Sequence, residues 1–256
     1  MHARSVLTVA AVACLAALPV RAETVEQVIA RARAYLGTER ALEAVTSIHF
    51  TGTLVTTGKG PSAADKSVLV DQPLQLPVEI IVQKPYQQQF TLNRPDSIET
   101  RALDGYDGWV QNTSRANPRQ RRLRLLAATE IKQLRANTWE NLNFFGGLEK
   151  KGGRVQLDGE ATVDGVECVK LSFFHTDEII FHRFFDRASG RLVRTETESG
   201  GEIREEGEII VDGVRFPRKV INKAPNGQVT SLVFDRIMLN ETVPAEVFAV
   251  PALPLD

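Results

Sequence analysis

Short β-type segments separated by tight-turn dipeptides fill most of this 256-residue sequence. Six segments rich in Val, Ile, Thr and Phe follow one another within 47–112, and the pattern resumes over 154–239. Asp-Gly or Asn-Gly pairs separate many of them, for example at 104–105 and 226–227. Because these dipeptides favour two-residue hairpin turns, consecutive segments are predicted to be neighbouring antiparallel strands.

The number of predicted strands limits the shape of the sheet. The sequence contains about 10–12 of them, and no helix of crossover length separates them, which argues against a parallel sheet. An open twisted sheet of more than about ten strands tends to curl, split or close. The sequence therefore predicts an α+β protein built on one strongly curved antiparallel sheet or a barrel.

Two amphipathic helices are predicted before the first strand. Thr24 and Gln27 have the spacing of a capping box. An apolar stripe at helical spacing follows, consisting of Val25, Val28, Ile29, Ala32 and Leu36. Gly37 is predicted to end this helix as a residue free to adopt positive φ. Thr38 then caps a shorter helix that extends to about Val45.

The segment 115–151 differs from the β-rich regions on either side and is predicted to lie outside the meander. Its first part holds five arginines and no acid, namely Arg115, Arg119, Arg121, Arg122 and Arg124. These are interpreted either as a solvated loop or as a patch that contacts anionic lipid head groups or an acidic partner. Nucleic acid is disfavoured because residues 115–125 contain no aromatic side chain. A helix is predicted over about 129–145, ended by two glycines.

Residues 1–22 have the pattern of an export signal. A short positive start precedes an uncharged apolar run at 6–20, and Val20-Arg21-Ala22 then offers small side chains at the two positions that a signal peptidase recognises. A run of about 15 residues is shorter than the roughly 20 needed to cross a bilayer. We therefore predict a cleaved signal and an exported, periplasmic protein. A lipoprotein acylated at Cys14 is the alternative.

After cleavage, residues 23–256 are predicted to form a single domain. Loss of Cys14 would leave only Cys168, so no internal disulfide is expected. A domain of this length can bury a sufficient core without one. Cys168 lies within an alternating strand and is interpreted as a small buried residue.

The sequence contains no clear catalytic, metal or cofactor motif. His175 and His182 are seven residues apart and lack the His-Glu-x-x-His spacing of a helical metal site. Neither a nucleophile elbow nor a phosphate-binding glycine loop occurs. We therefore predict a protein that is not an enzyme and that needs no cofactor.

Two predicted strands are apolar on both faces, which requires a cover on the second face. These are 179–185 and 229–239. The cover is either the amphipathic helices or a bound apolar ligand. The candidate ligand-binding residues are Trp109, Trp139, Leu142, Phe144, Phe145, Phe181 and Phe234. Packing of the central helix on the sheet is the alternative role for its aromatic residues.

Several short motifs, in their order and spacing, resemble the LolA/LolB-like superfamily of exported lipoprotein-sorting and lipid-carrying proteins. They are YLGTERALEAVTSIHFTGTL at 35–54, DGYDGWVQN at 104–112, FFDRASGRLVRTE at 184–196, VDGVRFPRKV at 211–220 and LNETVPAEVFAVP at 239–251. The resemblance implies an unclosed antiparallel half-barrel with the N-terminal and central helices over its concave face. In carriers of this family, the apolar hollow between sheet and helices holds acyl chains. The arginine-rich segment matches no motif of the family.

Two functions follow as hypotheses. The first is a periplasmic carrier of lipid or lipoprotein acyl chains. The second is an envelope sensor or interaction module that binds a membrane-anchored protein partner through the arginines at 119, 121, 122 and 124.

Overall fold

The computed structural model describes residues 23–62 and 65–252, so the predicted export signal and Cys14 lie outside the described residues. The α-helices in the described part are α1 (Val25–Leu36), α2 (Glu39–Ala44) and α3 (Ala128–Asn143). The predicted capping box at the start of α1 is confirmed. Its two backbone N–H groups donate to the Thr24 hydroxyl and the Gln27 amide oxygen. Thr38 caps α2, as predicted.

Fifteen strands are present among the described residues. They are β1 (Ser47–Pro61), β2 (Leu69–Gln83), β3 (Gln87–Asn93), β4 (Ser97–Asp104), β5 (Asp107–Ser114), β6 (Arg121–Leu125), β7 (Arg154–Val163), β8 (Val166–Thr176), β9 (Ile179–Asp186), β10 (Leu192–Thr197), β11 (Glu202–Glu206), β12 (Ile209–Val211), β13 (Val214–Phe216), β14 (Lys219–Lys223) and β15 (Val229–Leu239). Single 3₁₀ turns lie at Glu149–Lys151 and Ala245–Val247.

Thirteen strands form one antiparallel sheet in the order β6-β5-β4-β3-β2-β1-β15-β14-β11-β10-β9-β8-β7, and β12 and β13 form a separate hairpin. The first strand, β1, and the last strand, β15, pair with each other near the middle of the sheet. The end strands β6 and β7 do not pair with each other, so the sheet is unclosed. The predicted curved antiparallel sheet with helices is confirmed, with thirteen strands instead of about 10–12.

The arginine-rich segment was wrongly predicted to lie wholly outside the meander. Arg121–Leu125 forms the edge strand β6, paired with β5 from Trp109↔Leu125 to Thr113↔Arg121. Charged side chains are typical of an edge strand, because they discourage pairing with a further strand. The high charge of this segment therefore reflects its place at the edge of the sheet.

A second difference concerns β2, which the sequence divides into two strands at 66–71 and 76–84. In the structure β2 runs through Pro73 and Pro77 without interruption. Only its residues from Val78 onward pair with β3, so the earlier part has a neighbour on one side alone. Proline is tolerated there because a missing N–H costs least where a strand edge is unpaired.

Gly37 ends α1 as predicted, but the predicted reason is wrong. Its φ of 164° is extended backbone, which any residue adopts. A Cβ on Gly37 would approach the Gly213 carbonyl oxygen to 2.6 Å. The residue is glycine because the end of α1 bridges to Val214 of the β12–β13 hairpin at close range.

Helices α1 and α3 cover the concave face of the sheet, and the C-terminal segment covers part of the opposite face. Gly108 faces α3, since a Cβ there would lie 3.1 Å from Ile131. Its neighbour Trp109 points to the other face, where its indole N–H donates to the Phe248 carbonyl oxygen at 2.9 Å. Phe248 itself is fully buried. Throughout the described ranges, every helix is too short or too polar to span a bilayer.

Candidate functional site

The concave face holds two clusters of buried side chains beneath the helices. We call the first the apolar cluster; it includes Leu42, Ile48, Phe50, Val82, Leu142, Phe144, Phe216, Phe234 and Ile237. It lies under α2 and the C-terminal end of α3, and Phe50 is its centre. The Phe50 ring lies 4.8 Å from that of Phe234 and 6.1 Å from that of Phe216. All of these side chains are aliphatic or aromatic.

The second group, which we call the charged cluster, combines apolar side chains with a buried ion pair. Its apolar members include Val28, Ala32, Ala136, Leu148, Val169, Leu171, Phe173, Ile179, Phe181 and Phe185. Arg183 of β9 lies among the aromatic rings, with its guanidinium carbon 4.6 Å from the centre of Phe173 and 5.0 Å from that of Phe145. Arg183 is 6% exposed. A cation can enter this apolar site because ring faces attract it.

Glu140 of α3 joins the helix to the sheet through Arg183 and His175. One carboxylate oxygen lies 2.6 Å from Arg183 Nη1, and the other lies 2.5 Å from His175 Nε2. The Glu140 side chain is only 10% exposed. Burial opposes its ionisation, but the Arg183 charge and the His175 hydrogen bond outweigh that effect and hold the pKa of Glu140 below its ordinary value. Glu140 is therefore a carboxylate at neutral pH.

A second carboxyl group faces the same cation from the sheet. Val220 of β14 points to the concave face, and Glu205 of β11 is its register partner, so Glu205 points there too. Burial raises the pKa of Glu205, and the Arg183 charge opposes this only in part. Arg183 thus has two acidic neighbours with opposite pKa shifts, and Glu140 is its ion-pair partner.

Arg33 of α1 holds the C-terminal end of α3. Its Nη1 donates to the carbonyl oxygens of Asn143 and Phe144, both at 2.9 Å. Glu39 accepts hydrogen bonds from the other side of the same guanidinium. The last carbonyls of a helix lack intrahelical partners and carry partial negative charge, so a cation stabilises them. Gly146 leaves room for this contact, because a Cβ there would lie 2.7 Å from Nη1.

The chain leaves α3 through two consecutive residues with positive φ. Phe144 has φ 48° and Phe145 has φ 67°. Bulky residues rarely adopt this conformation, and it persists only where surrounding contacts impose it. Phe144 is buried in the apolar cluster, and Phe145 packs edge-on against Phe185 at 5.0 Å in the charged cluster. The end of α3 is therefore held by one aromatic side chain in each cluster.

The structure brings six of the seven predicted ligand-binding residues to the concave face, divided between the two clusters. Leu142, Phe144 and Phe234 belong to the apolar cluster. Trp139, Phe145 and Phe181 lie in or against the charged cluster. The seventh residue, Trp109, was predicted with them but lies on the opposite face under the C-terminal segment.

The predicted arginine patch forms a surface at one end of the sheet. Arg119 and Arg122 are exposed, Arg121 is half-buried, and none of the three forms an ion pair within the described residues. Arg124 instead pairs with Glu130, which also accepts the Ala127 N–H at the start of α3. The Arg124 hydrogen bond and the Ala127 N–H lower the pKa of Glu130 to about 2.

Sequence reasoning missed the polar residues that hold α3, namely Arg33, Glu140 and Arg183. Arg183 gave a usable signal, because it occupies an inward position of an otherwise apolar strand between Phe181 and Phe185. A charge at such a position requires a partner from a covering element. Arg33 and Glu140 gave none, since both lie on helices with many charged residues.

The remaining predicted polar candidates have structural surroundings. His175 binds Glu140, and His182 Nδ1 lies 2.6 Å from the Ser172 hydroxyl, which also contacts Asp158. Cys168 is buried, as predicted. Residues 23–62 and 65–252 contain no group of three or more His, Cys, Asp or Glu side chains arranged to hold a metal ion.

Comparison with known proteins identifies the fold. A LolA superfamily protein from Nitrosomonas europaea is 15% identical with a TM-score of 0.56, covering 86% of this chain and 97% of that one. A DUF1329 family protein from Desulfovibrio piger has a TM-score of 0.56 at 10% identity, covering 88% and 97%. A domain described as outer membrane lipoprotein-sorting, from Vibrio parahaemolyticus, has a TM-score of 0.54 at 11% identity, covering 87% and 96%.

These likenesses show that the chain has a LolA-like fold, as its sequence motifs predicted. No protein-family model matches the sequence, and no curated protein matches it.

Proposed function

We propose that this protein binds the acyl chains of lipids or lipoproteins between α3 and the concave face, and carries them through the periplasm without catalysis or cofactor. A solved protein domain of the same fold is described as lipoprotein-sorting, which supports the proposal at the level of the fold. The export signal predicted at 1–22 supports the compartment.

The observation that carries the proposal is the contrast between the concave surface and the contacts that hold α3 over it. The surface is lined by aromatic and aliphatic side chains of β1, β8, β9 and β15. The contacts that hold the end of α3 include polar ones, through Arg33 and Glu140, beside the aromatic contacts of Phe144 and Phe145. Displacing α3 would expose these apolar side chains, against which each buried acyl methylene gains about 0.8 kcal/mol.

Binding of a fluorescent fatty acid tests the proposal. The wild-type protein is expected to bind the probe and to shield it from quenching by aqueous iodide. Ala136 of α3 is 4% exposed and packs in the charged cluster, so Ala136→Phe fills the space between α3 and the sheet. This variant is expected to bind the probe about tenfold more weakly.

The matched control is Ala128→Phe, which adds the same side chain at the exposed first residue of α3. Its binding should equal that of the wild type. Circular dichroism checks that both variants are folded. Native mass spectrometry of protein purified from its host membrane fraction provides a second measurement. No bound lipid there, together with no probe binding by the wild type, would refute the proposal.

An interaction module is the second candidate function, and the arginines of the sheet edge are the observation that favours it. Arg119, Arg121 and Arg122 form no ion pair within the described part of the chain, so they remain available to an acidic segment of a membrane-anchored protein. Reversing these three charges to Glu should abolish capture of such a partner and leave probe binding unchanged. Capture of the partner by the charge-reversed variant as well as by the wild type would refute this second candidate.

A further inference from the structure

A cleft of about 160 Å³ opens beside α3 at the margin of the charged cluster. Lys132, Arg135 and Trp139 line it from one face of α3, and Lys151 lines it from the segment that follows the helix. Its apolar part is formed by Ala136, Leu148 and Ile179. These three residues are members of the charged cluster, so the cleft borders the apolar interior under α3.

Positive charge surrounds this cleft without a matching acid. Its lining includes two lysines, one arginine and His175, and no aspartate or glutamate. Lys132 and Lys151 form no ion pair with any residue in the described ranges. The carboxylate that binds the lining residue His175 is Glu140, and Arg183 also pairs with it. The cleft therefore offers cationic donors to an anion from outside the protein.

Arg135 is held in a fixed position before any ligand binds. Its guanidinium carbon lies 3.8 Å from the ring centre of Tyr86 and 3.9 Å from that of Tyr106, and its Nη1 donates to the Gly105 carbonyl oxygen at 2.6 Å. The remaining N–H groups are free to bind an anion, and a guanidinium has the planar fork that suits phosphate and carboxylate. A side chain fixed in advance loses less entropy on binding.

Trp139 provides the boundary between the charged and apolar parts of the cleft. Its ring stacks on Tyr86 with the centroids 6.2 Å apart, and the Lys151 ammonium lies 5.8 Å from its centre. An indole is suited to such a boundary because it has an apolar body and can attract a cation to its face.

We infer that this cleft binds the anionic head group, a phosphate or a carboxylate, of an amphiphile whose acyl chain enters the charged cluster. Lys132, Arg135 and Lys151 contact the head group, and Ala136, Leu148 and Ile179 contact the first part of the chain. The inference rests on the proposed function and adds to it a preference for anionic over zwitterionic lipids.

Paired lipids with the same fluorescent acyl chain test the inference. The wild-type protein is expected to bind phosphatidylglycerol about tenfold more tightly than phosphatidylcholine, and added salt should reduce the difference by screening the lysines. The double variant Lys132→Gln/Lys151→Gln should bind phosphatidylglycerol about tenfold more weakly and phosphatidylcholine only slightly more weakly, so that the preference is lost. Lys150→Gln is the matched control, since Lys150 adjoins Lys151 but does not line the cleft; it should keep the preference.

The other outcomes each exclude a specific interpretation. Equal binding of both lipids by the wild type would overturn the head-group site and leave the carrier function standing, whereas binding of neither lipid would overturn the proposed function itself. Loss of the preference in Arg121→Gln/Arg122→Gln, with the lysine variant unaffected, would place the head-group contact at the sheet edge and refute the cleft as its site.

Competition with inorganic phosphate distinguishes an amphiphile from a free anion. Phosphate should displace the labelled lipid only at millimolar concentration. If phosphate displaced the lipid at a concentration equal to that of the lipid, the cleft would be a site for free anions, and the proposal that it binds an amphiphile would be refuted.

Discussion

The two clusters under the helices hold the same sheet in different ways. In the apolar cluster, Phe50 packs against the rings of Phe216 and Phe234, among aliphatic side chains. In the charged cluster, Arg183 and Glu140 form a buried ion pair that is surrounded by aromatic rings. Hydrophobic burial is non-directional, whereas an ion pair fixes the position of both partners.

This difference assigns different roles to the two ends of the concave face. Desolvation offsets much of the attraction within a buried ion pair, so Glu140 and Arg183 add little net stability to the fold. They do fix where α3 lies on β9, because any other position would leave both charges buried and unpaired. The apolar cluster therefore stabilises the fold, and the charged cluster determines the position of the helix over the sheet.

Truncation at the centre of the apolar cluster should have the largest effect on stability. Phe50→Ala removes a 6%-exposed ring with two aromatic neighbours and should lower the free energy of unfolding by about 4 kcal/mol. Urea denaturation measures this. The loss should be similar at pH 7 and pH 4, because the two rings that Phe50 contacts carry no charge. A clear pH dependence would show that the two clusters are coupled.

Removing one partner of the ion pair should have the next largest effect. Glu140→Gln leaves Arg183 charged and buried, and should cost about 3 kcal/mol at pH 7. Glu149→Gln, at an exposed position just after α3, should cost nothing measurable. Replacing both partners, as Glu140→Leu/Arg183→Met, should restore most of the stability. A double variant as unstable as Glu140→Gln would mean that the ion pair itself stabilises the fold.

The pH dependence of stability should reveal the lowered pKa of Glu140. A carboxyl whose pKa is lower in the folded protein stabilises it above its ordinary value of 4.5, and this contribution disappears as the pH falls through the folded value. The cost of Glu140→Gln should therefore be largest near neutral pH and decrease below pH 4.5. Urea midpoints measured from pH 7 to pH 3 for both proteins provide the test. An equal difference at every pH would contradict the assignment.

Loss of the Arg33 contact should have a smaller effect, confined to the end of α3. Arg33→Gln removes the charge beside the Asn143 and Phe144 carbonyls and should cost about 1–2 kcal/mol. Hydrogen exchange should become faster in the last turn of α3 and stay unchanged at its first turn, which Glu130 caps. Arg40→Gln provides an exposed control on α2. Uniform acceleration over α3 would show that Arg33 supports the whole helix.

The smallest predicted effect concerns Glu205, whose pKa is shifted in the opposite direction to that of Glu140. A carboxyl with a raised folded pKa stabilises the protein below its ordinary value of 4.5, and this contribution is lost as the pH rises through the folded value. The permanently neutral variant Glu205→Gln should therefore gain stability relative to the wild type as the pH increases from 4 to 8. A loss over that range would identify Glu205 as a second ionised partner of Arg183.

The sequence predicted the local elements well where the cause is local. The Thr24 capping box, the Thr38 cap and the antiparallel hairpins all depend on residues close in sequence. Prediction failed where a residue distant in sequence determines the local conformation. Gly37 is required by the Gly213 carbonyl, and β2 passes through two prolines because part of its edge has no β3 partner.

The candidate site shows the same division. Six of the seven predicted residues lie on the concave face because apolar character is readable from sequence. The alternating pattern of β5 could not show which face carries α3, so Trp109 was grouped with residues that lie on the opposite face. The cationic cleft was not predicted, because Lys132, Lys151 and Tyr86 come from three separate segments.

By itself, the sequence determined the elements of this protein and the class of its fold. Turn dipeptides set the hairpins, and the number of strands required a curved sheet; these are local and additive properties of the chain. Only the tertiary structure decided how α3 lies on the sheet, which charges are buried together and where a cationic cleft opens. Those features depend on the dielectric surroundings and distances of residues far apart in sequence, such as Arg33 with Asn143 and Glu140 with Arg183.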